Sequence, residues 1–336
     1  MRATFLVIVL SSACYSPGYR DCEITCASQQ CPSGYSCNAG GFCVTDPQMS
    51  CSGIGSDGGG SDVMPDMGMQ GSGTWNPPMP VPFTAGSPTG LDDQPSLTDD
   101  MRTLYTRRIV GGQSELYSST RQLQTDPFPT PAIVSSISTA AANEITPELG
   151  GNGLTIFYGS DRGASPPQFD IWFASRNQIS GNWQTQTTPV QGLASTAADE
   201  SPTVARDGLT MVFCSLRMSG DAGDIYLSNR ATQADPWGAP MPMTAINNMG
   251  RRDEGPFLST DKLTIYFSSD RPGGTGGFDL WQATRPDLSS PFGMPTPIME
   301  LNTSGNERDP WVSPDGKRIF FTGMLNNVPT IMQATR

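Results

Sequence analysis

The sequence contains no histidine. That removes the Ser-His-Asp triad, the usual Cys-His pair and every imidazole metal site. Charged residues are scarce, at 15%, and acids outnumber bases, leaving a net charge of -12 and a pI near 4.4. An acidic surface repels phosphate backbones, which argues against nucleic acid and favours cations or basic proteins as partners. Long hydrophobic runs are also missing from the N-terminus, where the apolar stretch Phe5 to Leu10 is too short to span a bilayer. Glycine (37) and proline (30) are abundant instead, a composition that suits many short strands and turns.

One stretch, DEGPFLSTDKLTIYFSSDRPGGTGGFDLWQATR at 253–285, recurs along the chain. Its proline falls at Pro95, Pro147, Pro202, Pro256 and Pro310, in steps of 52, 55, 54 and 54 residues. A fixed period of that size predicts a propeller or an array. Each copy reads as four strands. The first carries the proline. A turn follows at Asp100, Asn152, Asp207, Asp261 or Asp315, with glycine next in three copies and Met101 or Lys262 in the other two, so those two turns are expected to differ. The second strand (LTIFYGS, LTMVFCS, LTIYFSS, RIFFT) is apolar on both faces, as a strand between neighbouring blades must be. Cys214 lies in such a run and reads as a small buried thiol.

The third strand (ELYSSTR, DIWFASR, DIYLSNR, DLWQATR, TIMQATR) ends at Arg121, Arg176, Arg230, Arg285 and Arg336. The fourth is an aromatic followed by prolines, which marks an edge strand. One aromatic-proline segment, at Trp75, precedes the first repeat, and none follows Arg336. The ring therefore closes if the strand near Trp75 joins the sheet of residues 306–336. The expected fold is all-β: a five-bladed β-propeller of four-stranded blades over 74–336. Arg162, Arg217 and Arg271 are expected to pair with Asp170, Asp224 and Asp279 across one loop. The glycine-rich loop at 272–278 joins two strands and opens no helix, so it is a poor phosphate cradle.

The motifs S-D-R, G-G-x-D-[IL]-[WY] and S-P-D-G resemble the WD40-like repeat of the TolB type over roughly residues 74–336. The resemblance implies an exported propeller that serves protein contacts in cell-envelope complexes.

Ahead of the repeats, MRATFLVIVLSSAC resembles a lipoprotein signal whose cysteine becomes the acylated first residue. The expectation is a signal peptide at 1–13, lipidation of Cys14 and a membrane-anchored lipoprotein in the bacterial periplasm or at the cell surface. Ordinary signal-peptidase cleavage is the alternative. Six further cysteines, Cys22, Cys26, Cys31, Cys37, Cys43 and Cys51, form an even set for three disulfides in a Cys-rich segment at 14–51, with the connectivity open. Residues 52–73, rich in Gly, Ser and Met, read as a flexible linker.

Two functions fit. One is a non-catalytic, monomeric scaffold that binds envelope proteins. The other is a propeller that binds or hydrolyses glycans, for which two suitably spaced carboxylates suffice. No catalytic residue stands out, because the evident acids recur with the repeat. Three residues before each repeat proline stands Asp92, Glu144, Asp199, Asp253 or Glu307. These acids either ring the channel mouth, where they would hold calcium or a basic group, or accept backbone N–H bonds inside the blades. No other cofactor is expected.

Overall fold

The computed structural model describes residues 73–84, 92–163, 168–217 and 223–336, together with two short strands, Ser36–Cys37 and Cys43–Val44. The chain divides into two units, Met1–Asp66 and Met67–Arg336. In the first, the two short strands pair antiparallel and set Cys37 opposite Cys43. Cys14, Cys22, Cys26, Cys31 and Cys51, the expected signal peptide at 1–13 and the expected linker up to residue 72 lie outside the described residues.

The second unit is five four-stranded antiparallel sheets in a five-bladed propeller, with no helix among the described residues. The first strands are Asp92–Leu97, Glu144–Leu149, Asp199–Val204, Asp253–Leu258 and Arg308–Val312. The second strands are Thr103–Val110, Thr155–Ser160, Thr210–Ser215, Thr264–Ser269 and Arg318–Leu325. The third are Gln113–Thr120, Asp170–Ser175, Asp224–Asn229, Asp279–Thr284 and Val328–Thr335. The outermost strands have two residues each. Every residue of Thr210–Ser215 and Thr264–Ser269 is buried, because these strands are covered on both faces by neighbouring blades. Each large apolar side chain removed from water there contributes roughly 1.5–3 kcal/mol.

The proline strand has its own logic. In all five blades its register slips beside the proline, forming a bulge. The residue before the proline takes a positive φ: Gln94 (54), Thr146 (46), Ser201 (54), Gly255 (56) and Asp309 (53). Its N–H thereby leaves the ladder and can reach another strand's side chain. Gln94 N–H donates to Thr322 Oγ1 at 2.8 Å, Thr146 N–H to Gln94 Oε1 at 2.8 Å and Ser201 N–H to Thr146 Oγ1 at 3.1 Å. Proline, which has no N–H to donate, is suited to this innermost edge, where no further strand pairs.

The five turns between first and second strands are alike, contrary to the sequence expectation. Met101 (φ 52) and Lys262 (φ 61) adopt the conformation of Gly153, Gly208 and Gly316, and all five N–H groups close the same bond to the residue three before, at 2.7–2.8 Å. A non-glycine residue there costs on the order of 1 kcal/mol, which the surrounding blade outweighs.

The repeat arginine at the end of the third strand fastens each blade. Its guanidinium lies over the aromatic of the outermost segment: Arg121 on Phe128, Arg176 on Trp183, Arg230 on Trp237, Arg285 on Phe292 and Arg336 on Trp75, at 4.1–4.5 Å. Its Nε donates to a turn carbonyl, as from Arg230 to Gly208 at 2.7 Å. In the fifth blade this clasp joins the two ends of the propeller sequence. Met79–Pro80 pairs with Val328–Thr335, with Met79 opposite Gln333 and Pro80 opposite Met332. The ring closes as the repeat count requires.

Candidate functional site at the propeller axis

The five repeat acids are buried, with exposures of 5% or less. They do not line an open mouth. Glu144, Asp199, Asp253 and Glu307 accept backbone N–H bonds from Thr139, Ser195, Asn248 and Thr303, each on the connection from the preceding blade, at 2.6–3.1 Å. Asp92, Glu144, Asp199 and Asp253 also pair with Arg108, Arg162, Arg217 and Arg271 at 2.6–2.7 Å. Burial raises the carboxyls of Glu144 and Glu307. Among the described residues no group of three or more His, Cys, Asp or Glu is placed to hold a metal ion.

The arginine partners differ from the expectation of Asp170, Asp224 and Asp279. The serine ending the second strand of the three middle blades decides the direction. Ser160, Ser215 and Ser269 take the arginine Nε at 2.8–3.1 Å and aim Nη2 at the first strand. Nη2 also donates to the carbonyls of Ile137, Leu193 and Ile246. The loop at 272–278 uses its N–H groups internally: Thr275 donates to Asp279, Gly277 to Gly305 O and Phe278 to Asn306. A Cβ at Gly276 would strike the carbonyls of Gly305 and Thr303, so this glycine serves close approach.

A different set of charges breaks the fivefold pattern. The residue two before the proline is Asp93, Ile145, Glu200, Glu254 or Arg308. Arg107 grips Asp93 with two bonds, and Glu254 is held by Arg308 and by Arg252. Arg107, of the first blade, also feels Asp309 of the fifth and Glu200 of the third. The first and third blades are not neighbours, so this cluster lies across the axis. It sits on the rim of the hairpins that join second and third strands.

Below it is a cavity of about 40 Å³ whose walls include Pro95, Pro147, Pro202, Pro256 and Pro310. A water molecule needs about 10–15 Å³ of such space, so the cavity holds a few waters and no sugar ring. Three carboxyls here are displaced upward. Burial, helped by the charge of Glu254, pushes Glu200 to about 6. Burial, with Glu254 and Asp93 adding, pushes Asp309 to about 7. Burial pushes Glu148 to about 8 against one hydrogen bond from Ser96. Acids of this kind can donate a proton near neutral pH. They are inconspicuous in the sequence because their repeat positions are not acidic in every copy, and that irregularity is itself the signal.

No family model and no curated protein sequence match the chain. Solved structures do. The endo-arabinase of Bacteroides thetaiotaomicron aligns at 12% identity over 74% of this chain and 96% of that one, with a TM-score of 0.54. The catalytic domain of an α-L-arabinofuranosidase from Coprinopsis cinerea aligns at 10% identity over 78% and 96%, with a TM-score of 0.53. TolB from Acinetobacter baumannii aligns at 14% identity over 72% of this chain and about half (54%) of that one, with a TM-score of 0.45. At these identities the likeness concerns the fold alone.

Proposed function

We propose that the protein is a non-catalytic binding module of the cell envelope, lipid-anchored at Cys14, which takes a protein partner on the hairpin rim of its propeller. One observation carries this reading. The second and third strands run eight residues in the first and fifth blades and six in the others. Two added residues lift these hairpins by roughly 7 Å. Both end in tight two-residue turns with positive φ at the two central residues, Gly111–Gly112 and Asn326–Asn327. Their tips are apolar and exposed: Ile109 53%, Val110 51%, Leu325 43% and Val328 40%. Aliphatic anchors on adjacent blades, beside a charged axial cluster, suit a protein interface. The TolB-type repeat motifs favour the same class of role. A photo-crosslinker at Val110 or Leu325 should capture one defined envelope protein, and Ile109→Asp with Leu325→Asp should abolish the adduct. The Cys14→Ser protein should lose the adduct through delocalisation. Absence of any discrete adduct in the anchored protein would count against the reading.

Glycan hydrolysis is the second reading, favoured by the unrepeated carboxyls of Glu200 and Asp309. Release of reducing sugar from arabinan or xylan, abolished by Glu200→Gln, would establish it.

A further inference from the structure

The charges at the axis do not balance. Asp93 is gripped by Arg107, and Glu254 by Arg308 and Arg252. Glu200 and Asp309 are left over. Among the described residues Glu200 has no hydrogen bond or ion pair, and Asp309 accepts only from Thr322 Oγ1, at 3.5 Å. The repeat gives neither acid a structural task. The side chains of Gln94 and Thr146 each accept the pre-proline N–H of the next blade. Asp309, at the same position in the fifth blade, does not, because Thr322 takes Gln94 N–H in its place. Its carboxyl lines the axial cavity instead.

The cavity has a direction. On the side nearer the hairpins its walls are the pre-proline residues, of which Gln94, Ser201 and Asp309 are partly exposed. Beyond the prolines, Glu148, Thr203, Phe257 and Trp311 are exposed by 8% or less. The cavity therefore opens toward the rim that carries Ile109, Val110, Leu325 and Val328. At its closed end Glu148 gives one carboxyl oxygen to Ser96 O–H at 3.2 Å, and among the described residues the other has no partner. The proline rings offer apolar surface to a hydrocarbon stem, and Phe257 and Trp311 offer aromatic faces to a cation. The volume of about 40 Å³ is too small for a sugar ring or a peptide backbone. Among the described residues no three acids converge to hold a metal ion. A compact ammonium on an unbranched stem meets each condition, and lysine is the side chain that has one.

We infer that the axial cavity receives one lysine side chain of the protein that covers the hairpin rim, with the ammonium held by Asp309 and Glu148 and with Glu200 at the entrance. The inference rests on the binding-module reading and names the group its partner must supply. Affinity should rise with pH. Burial keeps a proton on Asp309 up to about 7, with Glu254 and Asp93 adding and Arg308 and Arg107 opposing. Burial does the same to Glu200 up to about 6, with Glu254 and Asp199 adding and Arg252 and Arg107 opposing. A bound ammonium favours the ionised acids, which prevail at pH 8 and not at pH 5.

The probe is n-butylammonium, the lysine side chain by itself, with equal sodium chloride as the reference. It should bind the full chain at pH 8 with a Kd of about 10 mM, and about tenfold more weakly at pH 5 or in Asp309→Asn. Asparagine tolerates the positive φ of 53 at this position, so the variant should melt like the parent. In the anchored protein, Asp309→Asn should also abolish the adduct formed through a photo-crosslinker at Val110. No binding of the amine, or binding indifferent to Asp309, would overturn the inference. An adduct that survives Asp309→Asn and is lost with Ile109→Asp and Leu325→Asp would overturn it too, while leaving the hairpin-rim reading intact. Binding of the amine with no adduct in the parent would overturn both, since the cavity would then serve a free amine.

Discussion

Asp253 illustrates what a repeated acid does in this fold. Its side chain is wholly buried and its partner Arg271 is 7% exposed. Asp253→Asn leaves the guanidinium with only neutral partners, Ser269 and Ile246 O. Breaking a buried pair costs about 3–5 kcal/mol, so the unfolding free energy should fall by that amount and the urea midpoint by that amount divided by the slope, with the slope unchanged. Calcium and a chelator should give the same melting temperature for the parent protein. Glu148 acts in the opposite sense. Its carboxyl keeps a proton up to about pH 8 in the folded chain and, at its ordinary value of 4.5, loses it much earlier when unfolded. The folded state binds more protons between those values, so stability falls as pH rises through that window, by at most on the order of 5 kcal/mol. Glu148→Gln can keep the Ser96 bond and lacks the charge. It should raise the melting temperature at pH 8, change it little at pH 4.5 and flatten the profile between. An unaltered pH profile would show that Glu148 ionises normally.

At the level of the strand, the arginine clasp explains why one motif recurs at the end of five third strands. Arg230 donates to Gly208 O and covers Trp237, tying turn, third strand and outer segment together. Arg230→Ala should cost about 1–2 kcal/mol, one hydrogen bond plus one cation–π contact, read from chemical denaturation. Arg230→Lys should recover less than half of that, because an ammonium cannot stack as a plane while it donates. The strands themselves were legible from the repeat, since proline, turn, apolar run and arginine recur at fixed offsets. The arginine partners at the other rim were not. Ser160 lies opposite both Glu144 and Asp170 in the sheet, so sequence distance alone does not tell which acid Arg162 will reach. The serine hydroxyl settles that, and its role appears only in three dimensions. The glycine-like turns at Met101 and Lys262 were hidden for a related reason: local preference opposes them and the blade overrides it.

For the whole molecule, the count of incomplete repeats gave the closure, while the axial charges stayed hidden because they obey no repeat. Closure is also where a ring is most vulnerable. Trp75 and Val81 are buried in the largest apolar cluster with Trp311, Phe320 and Ile331. Asn76 N–H donates to Thr335 O at 2.8 Å and Val81 N–H to Ile331 O at 2.9 Å. The segment then crosses to the first blade, where Thr84 N–H donates to Phe128 O and Phe128 N–H to Pro82 O. Deleting residues 74–83 removes all of these links except the one donated by Thr84 and leaves Val328–Thr335 as an open sheet edge. An exposed edge of that length invites pairing with other chains. The truncated protein should melt well below the parent and associate as concentration rises. A synthetic peptide of residues 73–84 should bind the vacant edge by strand addition and raise the melting temperature in proportion to the logarithm of its concentration. The same peptide with Trp75→Ala should do so poorly, because Arg336 would have no ring to cover. A truncated protein that melts like the parent, or one indifferent to the peptide, would mean that the ring is held by the other four blades and not by its clasp.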